Sequence, residues 1–221
     1  NLQNFDKSKY EILIIENGSK YNLKIFIKQI KNRFKNLTLI KSKKKLGPGI
    51  ARNFGLTKAK GKYVIFLDCD DLLPKYTLKK YHSILKDNTY DTVVSNWSFT
   101  QNNQLRRKDF RYFKNGQNYL IKKFISMNFN GSIIFHCFKK KLFEKNNIKF
   151  SSGVHEDLPV IFKIYYFSKK IYLNNVKMYI KRNFKGSITN SFNKERIIGY
   201  IKSWNIIKRF IILKKGRSFF E

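Results

Sequence analysis

Residues 47–74 read GPGIARNFGLTKAKGKYVIFLDCDDLLP, and the fold turns on this stretch. Residues 47–49 form a glycine turn that opens a helix. Ala51, Phe54, Leu56 and Ala59 supply the inner face of that helix, and Gly61 stands where a C-cap glycine belongs. The run 63–67 has no polar alternation, as expected of a strand buried on both faces. It breaks off into Asp68, Asp70 and Asp71. Three acids within four positions stand out in a chain with 14 acidic and 47 basic residues. Pro74 then suits the first turn of a further helix.

Working outward, the chain alternates strand and helix over its first hundred residues. YEILII (10–15) is a strand closed by ENGS (16–19). Leu23, Phe26, Ile27, Ile30 and Phe34 recur at helical spacing, and LTLI (37–40) is a second strand. YDTVVSNWSF (90–99) is the fourth. This order predicts an α/β domain with a mostly parallel central sheet flanked by helices. In such sheets ligands bind beyond the carboxyl ends of the strands, where both ENGS and DCDD stand. The second half is less regular. Residues 100–118 are polar, a loop or hairpin; YLIKKFISM is helical; SIIFHCF is apolar; a helix starts near 155–157; IYLNNVKMYIKRNF is a strand closed by GSIT. Residues 191–213 form a basic amphipathic helix with Ile197, Ile201, Trp204, Ile207 and Ile211 on one stripe. No repeat or Pro/Ser-rich linker divides the chain, so one domain is expected over 1–190, followed by the helix at 191–221.

Composition narrows the class. Apolar residues make up 42% of the chain and aromatics 16%, which is not the signature of disorder. No run of 18 uncharged apolar residues exists to span a membrane. The net charge of +33 comes from 38 lysines and 9 arginines spread along the chain. Lys, Asn and Ile are all encoded by A/T-rich codons, so genome composition accounts for much of it. A site-specific nucleic-acid binder instead concentrates its charge in a stripe or a known module. Cys69 and Cys137 are far apart, which excludes a zinc ribbon or a disulfide framework. A reducing, cytoplasmic compartment is expected, with peripheral contact at the inner face of a membrane through the amphipathic helix.

The acidic clusters carry the chemistry. Asp68 and Asp70 lie two apart on an extended segment, so their side chains point the same way. Hard carboxylates at a strand end suit a divalent cation such as Mg²⁺ or Mn²⁺, whereas without one they repel. Asp71 is expected to cap the next helix. A second acidic pair, Glu156–Asp157, stands in GVHEDLP. It either serves a helix dipole or supplies a general base for a hydroxyl.

The 47–74 run resembles the family 2 glycosyltransferases of the GT-A fold. Their pattern is a glycine turn, A-R-N-x-G-L-x-x-A-x-G, a tyrosine-led strand, F-L-D-x-D-D and a nearby proline. Ala51, Arg52, Asn53, Gly55, Leu56, Ala59, Gly61, Tyr63, Phe66, Leu67, Asp68, Asp70, Asp71 and Pro74 match it. EILIIENGS is similar to the family's E-I-I-I-V-D-D-G-S, HED to its later E-D motif, and YIKRNFKGSIT to its terminal Y-x-x-x-x-x-x-G-S-I-T. The resemblance spans roughly residues 10–190. It implies a nucleotide-sugar-binding half over 1–100 and an acceptor half over 101–190.

The resemblance also implies roles. Asp68 lies near the ribose and the metal, and Asp70 holds the cation that bridges the donor diphosphate. Asp157 deprotonates the acceptor hydroxyl for inverting displacement, and Glu156 supports the acceptor or the base. Glu16 and Asn17 match the D-D of the D-D-G-S turn, where the second residue contacts the nucleotide base. The change to Glu-Asn puts the usual uracil preference in doubt. Arg52 is expected near the nucleotide or diphosphate, or in an ion pair with the acidic cluster. Arg182 and Lys185 are expected at the diphosphate. The implied activity is metal-dependent transfer of a sugar from a nucleotide-diphosphate donor to a saccharide, lipid-linked or protein hydroxyl, in cell-surface polysaccharide or glycolipid synthesis. No specific nucleic acid is expected as a partner.

Two alternatives stand beside this reading. A haloacid-dehalogenase-type phosphatase would use Asp68 as nucleophile. Its motif, however, continues with Gly-Thr on the first strand of its domain, and here Asp71–Leu72 follows at least two strands. A basic nucleic-acid- or membrane-surface-binding protein is the non-catalytic alternative. The family also begins with an I-P-x-Y-N strand and a helix that residues 1–10 do not supply, roughly 25 residues on average element lengths. The chain is therefore expected to be a fragment or a degraded copy.

Overall fold

The computed structural model describes residues 3, 5–18, 23–31, 34–42, 45–101, 104–108, 117–127, 132–182 and 193–215. Strand β1 (Ile12–Glu16) pairs in parallel with β2 (Leu37–Lys41), Ile12 opposite Leu37 and Glu16 opposite Lys41. Helix α1 (Leu23–Lys31) lies between them in the chain, the crossover that parallel pairing requires. Helix α2 (Pro48–Lys58), β3 (Tyr63–Ile65), α3 (Thr77–Leu85) and β4 (Thr92–Gln101) follow in the expected order.

The second sheet is built on β4. Antiparallel β6 (His136–Lys139) pairs with Thr92–Val94, and antiparallel β5 (Gln104–Lys108) pairs with Trp97–Gln101. Strand β7 (Ile171–Arg182) runs parallel to β4 along nearly its whole length. Residues 92–94 bond both β6 and β7, so these two strands flank β4 on opposite edges. Strand β3 joins the outer side of β6, antiparallel. The α/β architecture is as expected, and its pairings are mixed. Strands β1·β2 and β4·β7 are parallel, whereas β4·β5, β4·β6 and β3·β6 are antiparallel.

Successive residues of β4 face opposite sides of the sheet. Val94 joins one core with Trp97, Phe124 of α4 (Gln117–Ile125), Ile133, Phe135, Phe162 and Tyr165 of α6 (Leu158–Phe167), and Ile207 and Ile211 of α7 (Lys194–Lys215). Val93 joins the other with Tyr81, Leu85, Cys137 and Met178. A short helix, α5 (Lys141–Lys145), follows β6.

Several local expectations change. Helix α2 ends at Ala59, in extended conformation, two residues before Gly61. The Lys60 and Gly61 N–H groups instead donate to Glu11 Oε1 at 2.6 and 2.8 Å, so Gly61 serves the approach to β1 rather than a helix cap. The 63–67 run forms a ladder only over Tyr63–Ile65, half-buried throughout, and Leu67 is 50% exposed. Pro74 precedes its helix: its carbonyl accepts the Thr77 N–H at 3.0 Å. The stripe on α7 is divided. Ile207 and Ile211 are buried and Trp204 packs against Phe124, whereas Ile197 and Ile201 are exposed. Residues 109–116, Lys185 and GSIT (186–189) lie outside the described residues. Among the described residues no helix is long and apolar enough to cross a membrane.

Candidate active site

Helix α2 is docked onto the segment before α6, and the ARN motif is the means. Asn53 makes a reciprocal pair with Phe150: its Nδ2 donates to the Phe150 carbonyl at 2.8 Å, and its Oδ1 accepts the Phe150 N–H at 2.9 Å. Gly49 permits the close approach. A Cβ there would stand 2.4 Å from the Ser151 carbonyl oxygen and 2.7 Å from Glu156 Cγ. This brings the residue between them, Arg52, to the acidic groups.

Arg52 joins the two acidic clusters. Its Nη1 donates to Glu156 Oε1 at 2.6 Å and its Nη2 to Asp68 Oδ1 at 3.0 Å. The guanidinium also lies 5.7 Å from the Phe150 ring centroid, over its face. Asp68 and Glu156 are 88 positions apart in the chain, yet one side chain spans them. Burial works against the charge on Arg52, but Asp68 and Glu156 outweigh it and its pKa is raised. Glu156 is buried, and that burial, with Asp157 beside it, pushes its pKa up despite Arg52.

Asp157 sits at the N-terminus of α6, where the helix dipole favours an anion. Its side chain makes no capping bond to its own helix. Oδ2 instead accepts the Ile133 N–H at 3.3 Å. Burial raises the Asp157 pKa, while Arg52 and the Ile133 N–H oppose the shift. The backbone leading in is strained at His155, whose φ is +60°. The His155 carbonyl is held by the Ser203 hydroxyl of α7 at 2.8 Å, so the C-terminal helix braces the loop that carries Glu156 and Asp157.

Beyond the end of β3, Asp71 is not a helix cap, because α3 begins at Thr77 with Tyr76 at its N-cap. Asp71 is buried and turns toward β7, accepting the Tyr179 O–H at 2.6 Å and the Arg182 N–H at 2.8 Å. Arg182 Nε donates to the Asp70 carbonyl. Glu16 ends β1, its carbonyl accepting the Ser42 N–H at 2.9 Å. Asn17 Oδ1 accepts the Leu46 N–H at 2.7 Å, which leads the loop toward Gly47.

The structure thus brings Arg52, Asp68, Glu156 and Asp157 together, and Asp70, Asp71 and Arg182 at the adjoining turn. Glu16 and Asn17 occupy the end of β1. Tyr179 and Asn53 tie these segments together, and the sequence alone points to no role for either. Asn53 lay within the matched motif, and Tyr179 leads YIKRNFKGSIT. Among the described residues no group of three or more His, Cys, Asp or Glu is arranged to hold a metal. Asp68 and Asp70 still fit a hard cation that keeps waters and takes substrate phosphate oxygens, since such an ion needs only one or two protein carboxylates.

The family model for glycosyl transferase family 2 matches residues 1–149. The chain is 29% identical over 154 residues to the poly(ribitol-phosphate) β-N-acetylglucosaminyltransferase TarP of Staphylococcus aureus, a match covering 68% of this chain and 45% of that protein. In structure it is similar to S. aureus TarS (residues 1–349) in complex with UDP-GlcNAc. The TM-score is 0.79 at 20% identity, over 95% of this chain and 60% of that one. It is also similar to the mannosyltransferase PcManGT of Pyrobaculum calidifontis in complex with GDP-Man and Mn²⁺. There the TM-score is 0.60 at 18% identity, over 84% of this chain and 51% of that one. The chain therefore spans about half to three fifths of the length of these relatives.

Proposed function

Since the chain belongs to glycosyl transferase family 2, we propose that it transfers a sugar from a nucleotide-diphosphate donor to an acceptor hydroxyl, with inversion, and that Asp157 is the base. The observation that carries this reading is the Arg52 bridge, which sets a donor-side carboxylate, Asp68, and the Glu156–Asp157 pair against one guanidinium. Family membership also replaces the phosphatase and nucleic-acid alternatives.

The roles divide as follows. Asp70 and Asp68 would hold a Mn²⁺ or Mg²⁺ ion, and Asp68 would also meet the ribose. That cation, when bound, supplies positive charge against the departing nucleoside diphosphate. Asp157 takes the proton from the acceptor hydroxyl as its oxygen forms the new bond at the anomeric carbon. The bond to the diphosphate breaks on the opposite side, and the nucleoside diphosphate leaves with the electron pair. A raised pKa suits Asp157 for this, because a base poised nearer neutrality accepts a proton more readily. Glu156 holds Arg52 and supports the acceptor. The Arg182 guanidinium contributes positive charge to the diphosphate. Glu16 and Asn17 face the nucleotide base, where the Asn17 amide N–H₂ offers donors to a base edge.

The donor half is assigned to 1–100, the acceptor half to 101–190, and 191–221 to the helix that braces it. TarP acts on poly(ribitol phosphate), which favours a cell-surface polymer as acceptor here. Helix α7 leaves Ile197, Ile198 and Ile201 exposed beside Lys194, Arg196 and Lys202, a combination that suits peripheral contact with an anionic lipid surface at the cytoplasmic face. Binding to phosphatidylglycerol vesicles that survives replacement of all three isoleucines by serine would contradict that contact. The cation role is tested with Asp70→Ala: transfer should fall and lose its response to added Mn²⁺. Full Mn²⁺-stimulated transfer by the variant would refute the assignment.

A further inference from the structure

The turn 68–72 is held by β7, and the hold centres on one hydroxyl. The Tyr179 hydroxyl donates to Asp71 Oδ2 at 2.6 Å and, through its own oxygen, accepts the Asp68 N–H at 3.2 Å. Asp71 spends its other oxygen on the Arg182 N–H. Leu72 and Ile180 exchange both backbone hydrogen bonds, at 3.0 and 2.9 Å, and so extend the junction by one residue pair. Tyr179 itself has little freedom. It is fully buried, and its ring meets Phe135 edge-on with centroids 5.6 Å apart. Phe135 in turn stacks on Trp97 at 4.5 Å. A rigid phenol therefore reaches from the core to the turn, and its hydroxyl grips the backbone at Asp68 and the side chain at Asp71.

We propose that Tyr179 is a positioning residue for the donor site: its hydroxyl fixes the turn from which Asp68 and Asp70 present their carboxylates to a nucleoside diphosphate. The inference rests on the donor-site reading of Asp68 and Asp70. Three features separate it from ordinary core packing. The ring satisfies the core, whereas the hydroxyl bonds the turn. The groups it bonds belong to residues on either side of Asp70. And Asp71, a buried carboxylate, is turned to β7 by this hydroxyl and the Arg182 N–H, whereas the Asp68 side chain is half-exposed and Asp70 is exposed. Geometry of this kind matters because binding groups must be held within fractions of an ångström to act.

Tyr179→Phe isolates the hydroxyl, since the ring stays. Tyr81→Phe is the control: Tyr81 is also buried, and its hydroxyl bonds Ser95 Oγ at 3.1 Å on the other face of the sheet. Amide hydrogen exchange without nucleotide, and calorimetric binding of UDP and of GDP with Mn²⁺, are measured on the whole chain for both variants. Tyr179→Phe should speed exchange of the Asp68 N–H by about tenfold or more and weaken nucleoside-diphosphate binding by about tenfold, since both hydroxyl bonds to the turn are lost. Tyr81→Phe should change neither. Unchanged Asp68 exchange in Tyr179→Phe overturns the grip, and faster exchange with unchanged binding overturns the positioning role. A wild-type chain that binds neither nucleotide overturns the donor reading itself, with the exchange result still deciding whether the grip exists.

Discussion

Replacing Arg52 by methionine keeps an unbranched apolar stem over Phe150 and removes the charge. The magnitude follows from burial. The Arg52 and Glu156 side chains are 14% and 8% exposed and meet at 2.6 Å, whereas the Asp68 side chain is 42% exposed. Deleting one partner of a buried pair costs about 3–5 kcal/mol, because the other charge is left uncompensated. The exposed Asp68 contact adds less than about 1 kcal/mol. Arg52→Met should therefore lose about 3 kcal/mol at neutral pH and above. The pH dependence has a definite sign. Burial and Asp157 raise the Glu156 pKa, and its own backbone N–H and then Arg52 oppose the rise, so without Arg52 it rises further. As the pH falls through that raised value Glu156 takes up a proton and the stranded charge disappears. The deficit relative to wild type must then shrink on acidification. Urea unfolding followed by Trp97 and Trp204 fluorescence, at about pH 8 and about pH 5, measures both numbers. Adding Glu156→Gln to Arg52→Met should restore about 2 kcal/mol at the higher pH. A deficit below about 0.5 kcal/mol, or one that grows toward acid, would mean that Arg52 does not compensate a buried Glu156 charge.

Two further outcomes follow from the same geometry. Gly49→Ala should lower stability by about 1–3 kcal/mol, read as a fall in Tm, because its Cβ would meet the Ser151 carbonyl at 2.4 Å and backbone cannot swing aside; an unchanged Tm would mean that α2 is not docked there. In the pH profile of kcat/KM, activity should fall as pH drops through the Asp157 pKa, with a midpoint above the ordinary aspartate range, since burial raises it. Arg52→Lys should leave that midpoint nearly in place, whereas Arg52→Met should move it upward; a midpoint that ignores Arg52 would dissociate Asp157 from the acid limb.

What could be read from the sequence divides along physical lines. Apolar runs and helical spacing located β1, β2, β4, β7 and the helices α1, α2, α4 and α7, because these patterns are local and repeat over several residues. The 63–67 run misled as to extent: its apolar residues promised a long ladder, but β6 pairs only with Tyr63–Ile65. Asp71 and Gly61 depart from expectation for a different reason. Each stands where a cap is common, and each is claimed by a distant partner, Asp71 by Tyr179 at a separation of 108 residues and Gly61 by Glu11 at 50. No periodicity encodes such contacts. Arg52 was placed near the acids in one of two expected ways, and the ion pair is what the structure contains. The alternation of strand and helix foretold the parallel pair β1·β2, while the antiparallel partners of β4 come from the irregular second half.

Transfer of a sugar from a nucleotide donor, with Asp157 as base, is the reaction proposed for this chain. It is tested most directly by nucleoside-diphosphate release from a panel of UDP- and GDP-sugars with Mn²⁺, in the presence of cell-wall polysaccharide acceptors. Wild type and Asp157→Asn are compared, and donor binding is measured alongside. The account predicts acceptor-stimulated release by the wild type, and a fall of about 10²–10⁴-fold in Asp157→Asn at unchanged donor affinity. Release by Asp157→Asn at the wild-type rate, or no release from any donor by a wild-type chain that binds one, would contradict it.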